Sequence, residues 1–299
     1  MFPQDQYQLL DFGDGRRLER FGEITLDRPC QAAEVRQANP DAWHNSDARF
    51  DGRDEQQGQW TYRRELPERW TIAHGRLRFE LKRTEFGHLG LFVEQAENWD
   101  WISSRVSPLP TNLRLVPGEG PGVRAARPLK ILNLFAYTGG STLAAAGAAE
   151  VTHVDAAKNV VAWARRNAEL SGLADAPIRW IAEDAAKFVK RELKRGNRYD
   201  AVILDPPSYG HGPRGEVWRL SKHLPRLLAM CGELTAGRLQ FMLLTCHTPA
   251  YEPETLRDML LEAIGGGGAV VARQLAIPSS TGRELPSGAV VRWSRSSVN

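Results

Sequence analysis

The sequence has little cysteine and no long apolar run. Its three cysteines, Cys30, Cys231 and Cys246, are far apart in a chain of 299 residues. An odd number at such spacing fits neither a disulfide framework nor a zinc cluster, so we predict no bound metal and a reducing compartment. No apolar stretch reaches the roughly 18 residues that a membrane span requires, and residues 1–6 do not resemble a secretory signal. These absences predict a cytoplasmic protein that does not contact a membrane.

The sequence also lacks a strong net charge, which is +3 over the whole chain. Residues 1–129 carry 18 basic and 20 acidic side chains, whereas residues 130–299 carry 21 and 16. The excess of basic side chains in the second part would favour a polyanion such as nucleic acid. A basic surface that contacts only water explains the same excess equally well.

Residues 1–105 alternate between apolar and polar side chains and contain turn signals, which predicts a β-rich N-terminal domain. Residues 28–58 are polar and turn-rich and are expected to form a long irregular segment. A linker is expected over residues 106–129, because residues 116–122 are rich in glycine and proline. The predicted strands are residues 7–11, 16–21, 60–66, 70–73, 76–83 and 90–94.

Residues 130–299 alternate between apolar strands and amphipathic helices. This alternation predicts an α/β fold with a doubly wound, mainly parallel sheet of the Rossmann-like type. The last two of its seven strands have no helix between them, which predicts an antiparallel hairpin at the sheet edge. The predicted strands are residues 131–135, 151–155, 178–182, 201–205, 240–245, 269–273 and 289–293. The predicted helices are residues 141–149, 157–170, 185–195, 217–231 and 253–264.

Candidate ligand-binding residues follow three of these strands, where doubly wound sheets bind their ligands. Gly139 and Gly140 follow the first strand and would let the backbone approach a ligand closely. Asp155 ends the second strand, where a carboxylate can accept both hydroxyl groups of an adenosine ribose. Asp184 follows the third strand and could accept the adenine amino group. Each feature has a structural alternative, since glycines permit tight packing and both acids could cap helices.

A nicotinamide dehydrogenase is the main competitor for this geometry. The turn at residues 133–142 lacks the G-x-G-x-x-G pattern that lets the backbone approach a dinucleotide diphosphate. The end of the fourth strand, Asp205-Pro206-Pro207-Ser208, is also foreign to dehydrogenases. Both observations argue against a nicotinamide cofactor.

Four segments together resemble motifs I to IV of class I S-adenosylmethionine (SAM)-dependent methyltransferases. They are Asn-Leu-Phe-Ala-Tyr-Thr-Gly-Gly at 133–140, Val-Asp at 154–155, Glu-Asp-Ala at 183–185 and Asp-Pro-Pro-Ser at 205–208. They most resemble the bacterial 23S rRNA large-subunit methyltransferase group, which includes cytosine-C5 and guanine-N7 enzymes. Residues 90–95, 244–246 and 285–288 are also similar to that group. Its members often carry an N-terminal RNA-binding PUA domain, and we expect none in this chain.

The resemblance implies SAM as cofactor and a role for each matching residue. Asp155, with Ala156 beside it, would bind the ribose, and Asp184 with Ala185 would frame the adenine. Gln95 would cover the cofactor from the N-terminal side. Asp205, Pro206 and Pro207 would lie beside the methyl group and the target base. The residues that would wrap the methionine end are Phe135, Ala136, Tyr137, Thr138, Gly139 and Gly140.

The acceptor atom decides which further residues are needed. A nitrogen has its own lone pair and needs orientation, for which Asp205 and the Pro206 carbonyl could accept its hydrogens. Cytosine C5 instead needs a thiolate that adds at C6. Thr245-Cys246 resembles the motif that holds this nucleophile in cytosine-C5 RNA methyltransferases, and His247 could stabilise the thiolate. The alternative is that Cys246 is a buried, small apolar residue.

Methylation of RNA, ribosomal RNA in particular, is therefore the leading hypothesis, with cytosine C5 as its target. The alternatives are N-methylation of a guanine, an amine or a small molecule, and a non-catalytic protein that binds SAM or RNA. The oligomeric state stays open between a monomer and a homodimer. Trp60, Trp70, Trp99 and Trp101 are expected in the core rather than stacked on bases. Basic residues 214, 219, 222 and 226 could contact phosphates or only water, and the loop at 209–213 is expected to close over substrate.

Overall fold

The computed structural model describes residues 1–52, 57–106, 127–211 and 217–296. The linker expected at residues 106–129 lies almost wholly outside these ranges. Gly212, Pro213 and Arg214, which belong to the expected loop and basic cluster, also lie outside them. The division of the chain into domains at residues 105 and 130 stays a prediction.

The N-terminal part contains a five-stranded sheet whose spatial order follows the chain. All its neighbouring strands are antiparallel except the third and fourth, which are parallel. A separate antiparallel hairpin follows it. The elements are β1 (Tyr7–Gly13), β2 (Arg16–Phe21), β3 (Ile24–Pro29), α1 (Pro40–Trp43), β4 (Ala48–Asp51) and β5 (Gln59–Tyr62), then the hairpin strands β6 (Arg69–His74) and β7 (Leu77–Lys82).

Two sequence predictions in this part are wrong. Residues 28–58 are not irregular throughout, because β4 and the short helix α1 lie within them and β3 ends inside them. Residues 90–94 are not a strand. They lead through a 3-10 turn at Val93–Gln95 into helix α2 (Ala96–Val106), which buries Trp99 and Ile102 at helical spacing.

The C-terminal part is a seven-stranded sheet with helices on both faces, as predicted. Its first five strands are parallel, and the last two form the expected antiparallel hairpin at one edge. In chain order the elements are β8 (Leu129–Leu134), α3 (Gly140–Ala146), β9 (Ala149–Asp155), α4 (Lys158–Leu170), β10 (Ile178–Ala182), α5 (Ala185–Lys194), β11 (Ala201–Leu204), β12 (Tyr209–His211), β13 (Val217–Arg219), α6 (Leu220–Thr235), β14 (Phe241–Cys246), α7 (Pro253–Ile264), β15 (Ala269–Pro278) and β16 (Glu284–Ser294).

The spatial order of this sheet is β10-β9-β8-β11-β14-β16-β15. From β8 the chain first moves outward through β9 and β10, and then returns to place β11 on the other side of β8. The strand order therefore reverses between β8 and β11, and the crevice beyond their carboxyl ends is the expected ligand site.

The two faces of this sheet bury two separate apolar clusters. Ile131, Ile203 and Leu243 belong to the first cluster, which also contains Trp99 of α2 and much of the N-terminal sheet. Leu132 and Leu204 belong to the second, which contains the buried side chains of α5, α6 and α7. The N-terminal part thus packs on one face of the large sheet. Trp60, Trp70 and Trp101 pack against the first cluster, which confirms the expectation that these tryptophans belong to the core.

Candidate active site

The turn after β8 has an unusual backbone. Phe135 and Tyr137 have positive φ angles of 54° and 48°, a region that side-chain-bearing residues seldom occupy. Gly139, with φ 92°, occupies the same half of the map before α3 begins. Conformations of this kind carry a free-energy cost and concentrate at ligand sites. The strained backbone of residues 135–139 therefore indicates a ligand-binding turn rather than a simple reversal of the chain.

Gly140 is required by the packing behind this turn. A Cβ atom on Gly140 would lie 2.5 Å from the ring of Trp99, too close for any real contact. Trp99 is 3% exposed and its ring packs in a tilted orientation against that of Phe79 of the N-terminal hairpin, 4.8 Å between centroids, so it has little freedom to move. The tight-packing expectation for this glycine is confirmed, and Gly140 also lines the cavity described below, while its role in approaching a ligand stays a prediction.

Asp155, at the end of β9, connects the turn to the next strand. Its carboxylate accepts a hydrogen bond from the Tyr137 amide (2.9 Å) and another from the Ala157 amide (3.0 Å). Burial raises the pKa of Asp155, and these backbone hydrogen bonds offset only part of that effect. The Ala157 contact at the start of α4 is a helix-capping interaction, and it leaves further lone pairs of the carboxylate available.

The acids after β10 are engaged in local contacts. Asp184 caps α5, because its Oδ1 accepts a hydrogen bond of 2.8 Å from the Lys187 amide. Glu183 forms an ion pair with Arg191 at 2.5 Å. The helix-cap alternative for Asp184 is therefore correct. A role in framing adenine stays a prediction for Asp184 and Ala185.

Asp205, just after β11, lies at the centre of a polar network. Its Oδ1 accepts a hydrogen bond from the Thr245 hydroxyl (2.6 Å), and its Oδ2 accepts one from the Gln95 amide (3.2 Å). His247 Nε2 lies 3.4 Å from Oδ1. Burial alone would raise the pKa of Asp205, but the charge and hydrogen bond of His247 outweigh it and lower the pKa. The carboxylate is held ionised and fixed from three sides.

His247 lies between two acids. Its Nδ1 is 3.7 Å from Glu94 Oε1, and its ring stacks on Phe92 at 6.0 Å between centroids. Burial would lower the pKa of His247, but Asp205 and Glu94 together raise it to about 9. His247 is therefore a cation at neutral pH. Burial raises the pKa of Glu94 against the opposing charge of His247.

From the sequence, His247 was a candidate to stabilise the Cys246 thiolate. In the structure, its ring lies beside the Asp205 carboxylate instead. Along β14 the side chains alternate between the two faces of the sheet. Thr245 faces the cavity, whereas Cys246 packs in the opposite apolar cluster with Leu204 and is 1% exposed. Burial raises the pKa of the Cys246 thiol. These observations favour the alternative in which Cys246 is a small apolar residue.

The two prolines after Asp205 lead into a second layer of contacts. Pro206 is buried and Pro207 is exposed, and the Pro207 carbonyl accepts a hydrogen bond of 2.7 Å from the Trp218 indole. The Trp218 ring also packs against Phe135 at 5.0 Å. Trp218 thus joins the end of β11 to the strained turn. The sequence pattern predicts a helix over residues 217–231 and no role for Trp218, whereas Trp218 lies on the short strand β13.

A cavity lies where these features meet. It is also lined by Thr245, Trp99, Phe92 and Asn133, which had not been predicted as site residues. Of these four, only Trp99 lies outside the segments that resemble the family. The complete lining is Leu91, Phe92, Gln95, Trp99, Asn133, Phe135, Ala136, Tyr137, Thr138, Gly139, Gly140, Ser141, Ile203, Asp205, Leu243 and Thr245.

Known proteins share this architecture. The model of a family described as S-adenosylmethionine-dependent methyltransferase matches residues 118–264. The crystal structure of a SAM-dependent methyltransferase from Agrobacterium tumefaciens is 38% identical and superposes with a TM-score of 0.86, over 97% of this chain and 91% of that one. The chain belongs to the family of SAM-dependent methyltransferases.

Two further relatives of this methyltransferase have more specific names. Ribosomal RNA large subunit methyltransferase I of Aeromonas hydrophila is 38% identical over 82 residues, which are 27% of this chain and 21% of that protein. Ribosomal RNA large subunit methyltransferase K of Neisseria meningitidis is 34% identical over 87 residues, 28% of this chain and 25% of that protein. The chain thus spans a quarter or less of the length of these two relatives.

The residues of this methyltransferase fit the cofactor of its family, SAM. Residues 136–141, which include two glycines and mostly small side chains, form one wall of the cavity, and a carboxylate, Asp155, lies at the neighbouring strand end. Among the described residues, no cluster of three or more His, Cys, Asp or Glu side chains is arranged to hold a metal ion. None of the helices in the described ranges is both long and apolar enough to cross a membrane.

Proposed function

We propose that this protein transfers a methyl group from SAM to RNA, and that the RNA is ribosomal. The observation that carries the proposal is the position of Asp205, whose ionised carboxylate lines the cavity at the switch point of the sheet. The names of the two partial relatives support ribosomal RNA as the substrate. Such a substrate would place the reaction in the cytoplasm.

Residues on both sides of the switch point would hold the cofactor. Phe135 to Gly140 would contact the methionine end, and Asp155 with Ala156 would bind the ribose hydroxyls through the lone pairs that the backbone amides leave unused. Asp184 and Ala185 would border the adenine, and Gln95 would close the cavity from the N-terminal side. SAM, when bound, supplies a methyl group activated by a positively charged sulfur.

The protein would contribute alignment and a proton acceptor. Holding an acceptor atom in line for displacement can lower a barrier by about 7–11 kcal/mol. Asp205 is an acceptor-only group in its ionised form, so it suits a substrate atom that carries hydrogens. We therefore propose a ring or exocyclic nitrogen of a base as the target: the nitrogen would gain the methyl group and lose a proton, which Asp205 would accept, while Pro206 and Pro207 would shape the contact with the base.

Cytosine C5 is the second candidate, because Thr245-Cys246 resembles the nucleophile motif of cytosine-C5 RNA methyltransferases. This reaction needs the Cys246 sulfur to form a bond to C6 of the base and later to release it. A thiol that is buried on the far side of β14 would have to reorient before it could do so. The nitrogen candidate needs no such change.

Deletion of the gene, followed by mass spectrometry of ribosomal RNA nucleosides, tests the proposal. We expect one methylated nucleoside to disappear and to return when the wild-type gene is restored. Its identity distinguishes a methyl group on nitrogen from one on C5. An unchanged set of nucleosides would contradict a ribosomal substrate. SAM binding without transfer to any cellular RNA would instead favour a small-molecule substrate or a non-catalytic protein.

A further inference from the structure

An exposed groove lies beside the edge strand β5, and the proposed cofactor site uses none of its residues. The groove lies between the residues that follow β5 and the residue that follows β7, so it borders both the five-stranded sheet and the hairpin. Its lining residues are Tyr62, Arg63, Arg64, Glu65, Leu66 and Arg83.

Arg83 is the central residue of this groove. Its guanidinium lies 5.2 Å from the ring of Tyr62 and 5.5 Å from the ring of Trp70, so aromatic rings contact it from two sides. Its Nε donates a long hydrogen bond of 3.4 Å to the Tyr62 hydroxyl. The two rings fix the plane of the guanidinium without using most of its donors.

Two buried donors at this place have no hydrogen-bond partner among the described residues. They are Nη1 of Arg83 and the indole Nε1 of Trp70. A buried donor that is left unpaired costs free energy, so native proteins rarely keep one. Both atoms have almost no solvent-accessible surface, so a phosphate or a base carbonyl could pair with them only after the side chains shift.

The same groove exposes an aromatic ring. Tyr62 is 51% exposed although Arg83 covers part of it. Phe86, in the turn that follows Arg83, is 40% exposed, and the Trp60 indole donates to the Thr84 carbonyl and holds that turn against β5. Exposed aromatic faces next to arginines are typical of surfaces that bind single-stranded nucleic acid.

The charges of the groove are those of an anion site. Three arginines and one glutamate line it. Arg64 is paired with Asp47, whereas Arg63 is exposed and forms no ion pair with any residue that the structure describes. Arginine can donate to phosphate in a bidentate manner, and the aromatic rings add a surface for bases.

We propose that this groove binds a single-stranded segment of RNA, with a base stacked on Tyr62 and backbone phosphates contacting Arg63 and Arg83. The inference rests on the proposed function, because it assigns a second contact to the same RNA. Single strands are favoured over duplex, since the bases of a duplex are already stacked and cannot use the Tyr62 ring.

The chain links this groove directly to the cavity. Eight residues after Arg83 the same segment reaches Leu91, and Phe92 and Gln95 follow in the cavity wall. Lys82 and Thr84 donate backbone hydrogen bonds to Leu89 and His88, so the intervening turn is closed on itself. An RNA strand held at Arg83 would therefore be anchored to the element that forms one wall of the cofactor site.

Binding and kinetics of matched variants test the groove. Tyr62→Ala removes the ring and Tyr62→Phe keeps it. Arg63→Ala removes a groove charge, and Arg198→Ala removes an exposed arginine from the loop after α5 as its control. We expect Tyr62→Ala to weaken binding of single-stranded oligouridine at least about fivefold and to raise the KM for RNA similarly. Tyr62→Phe and Arg198→Ala should bind oligouridine as the wild-type protein does. None of these substitutions should change kcat or the affinity for SAM.

The salt dependence supplies a second readout. Arg63→Ala should lower the slope of the logarithm of the oligouridine affinity against the logarithm of salt concentration by about one, because one phosphate contact is lost. Duplex RNA of the same length should bind more weakly and should not distinguish Tyr62→Ala from wild type.

The outcomes separate this inference from the proposed function. If the wild-type protein methylates RNA and Tyr62→Ala has the same KM and oligouridine affinity, the groove proposal alone is overturned. If the wild-type protein binds oligouridine through Tyr62 but methylates no RNA, the groove stands and the proposed function fails. A wild-type protein that does not bind oligouridine overturns the groove proposal whatever its activity.

Discussion

His247 Nε2 lies 3.4 Å from Asp205 Oδ1, and the same imidazole faces Glu94 on its other side. This relationship explains how a half-buried aspartate in the cavity wall stays ionised. A cation between two carboxylates lowers the pKa of Asp205, while the two carboxylates raise the pKa of His247 to about 9. The negative charge of Asp205 and the positive charge of His247 therefore stabilise each other.

His247→Gln should therefore change the pH dependence of stability. The folded-state pKa of His247 is raised from 6.5 to about 9, so its contribution is complete below pH 6.5 and is lost as pH rises through about 9. We expect wild type to lose stability over that window and the variant not to show this loss. Urea unfolding of both proteins between these pH values measures it. If the free energy of unfolding changed with pH in the same way for both proteins, the result would contradict the positive charge assigned to His247.

Asp205→Asn should lower kcat by about 10²–10⁴-fold, because the neutral amide can still accept a hydrogen bond but cannot take up the proton that the substrate nitrogen releases. The affinity for SAM should change far less, since most of the cavity wall is formed by other residues. Single-turnover kinetics and calorimetry separate the two effects. Thr245→Val, which removes one hydrogen bond to the carboxylate but keeps its charge, should cause an intermediate loss. Full activity in Asp205→Asn would exclude Asp205 from the reaction.

Cys246→Ala distinguishes the two acceptor atoms. Because the thiol is buried among apolar side chains, we expect transfer to continue near the wild-type rate, with only a modest loss of stability. Methyl transfer to total RNA and urea unfolding are the measurements. Cys231→Ala, on α6, is a control for a second buried thiol. Abolished transfer in a folded, SAM-binding Cys246→Ala protein would establish the C5 mechanism instead.

Gly140→Ala should damage the cofactor site through Trp99. The added methyl group would overlap the indole ring, and overpacking of this kind costs about 1–3 kcal/mol. We expect a lower free energy of unfolding and weaker SAM binding in calorimetry. Gly147→Ala is the matched control at the other end of α3, because its Cβ would meet only the flexible tip of Arg76. Equal effects of the two substitutions would contradict a specific role for the Gly140–Trp99 contact.

Glu19→Gln tests the buried ion network of the N-terminal sheet. Glu19 is fully buried against Arg28 and also pairs with Arg17. Removing one partner of a buried pair costs about 3–5 kcal/mol, because the remaining charges stay buried without compensation. Urea unfolding measures this loss. Asp51→Asn, which breaks an exposed pair with Arg49, should cost about 1 kcal/mol or less.

The C-terminal fold was predictable because its signals are local. Buried parallel strands are continuous apolar runs such as Ala201–Leu204, and each is followed by a helix with one apolar face. The N-terminal part gave weaker signals. Strand β4 is only four residues long within a polar segment, and its burial depends on the neighbouring strands. Helix α2 does show helical spacing of its apolar residues, and the alternation just before it was misleading.

The site residues that lie in the sequence motifs were predictable, whereas the contacts between residues of different motifs were not. The β8 turn, Asp155 and Asp205 lie at strand ends, so topology alone places them near one ligand. The contact of His247 with Glu94 joins residues that are far apart in sequence, and no local pattern predicts it. Because side chains alternate along a strand, those of Thr245 and Cys246 must point to opposite faces of the sheet. Only the hydrogen bond from Thr245 to Asp205 shows which of the two faces bears the cavity.

Transfer of radioactive methyl groups from SAM to ribosomal RNA, isolated from cells that lack the gene, tests the central claim most directly. The wild-type protein should label this RNA, and RNA from cells that carry the gene should accept little label because its target is already methylated. Asp205→Asn should label neither. Absence of labelling by the wild-type protein, or equal labelling of both RNAs, would contradict the account.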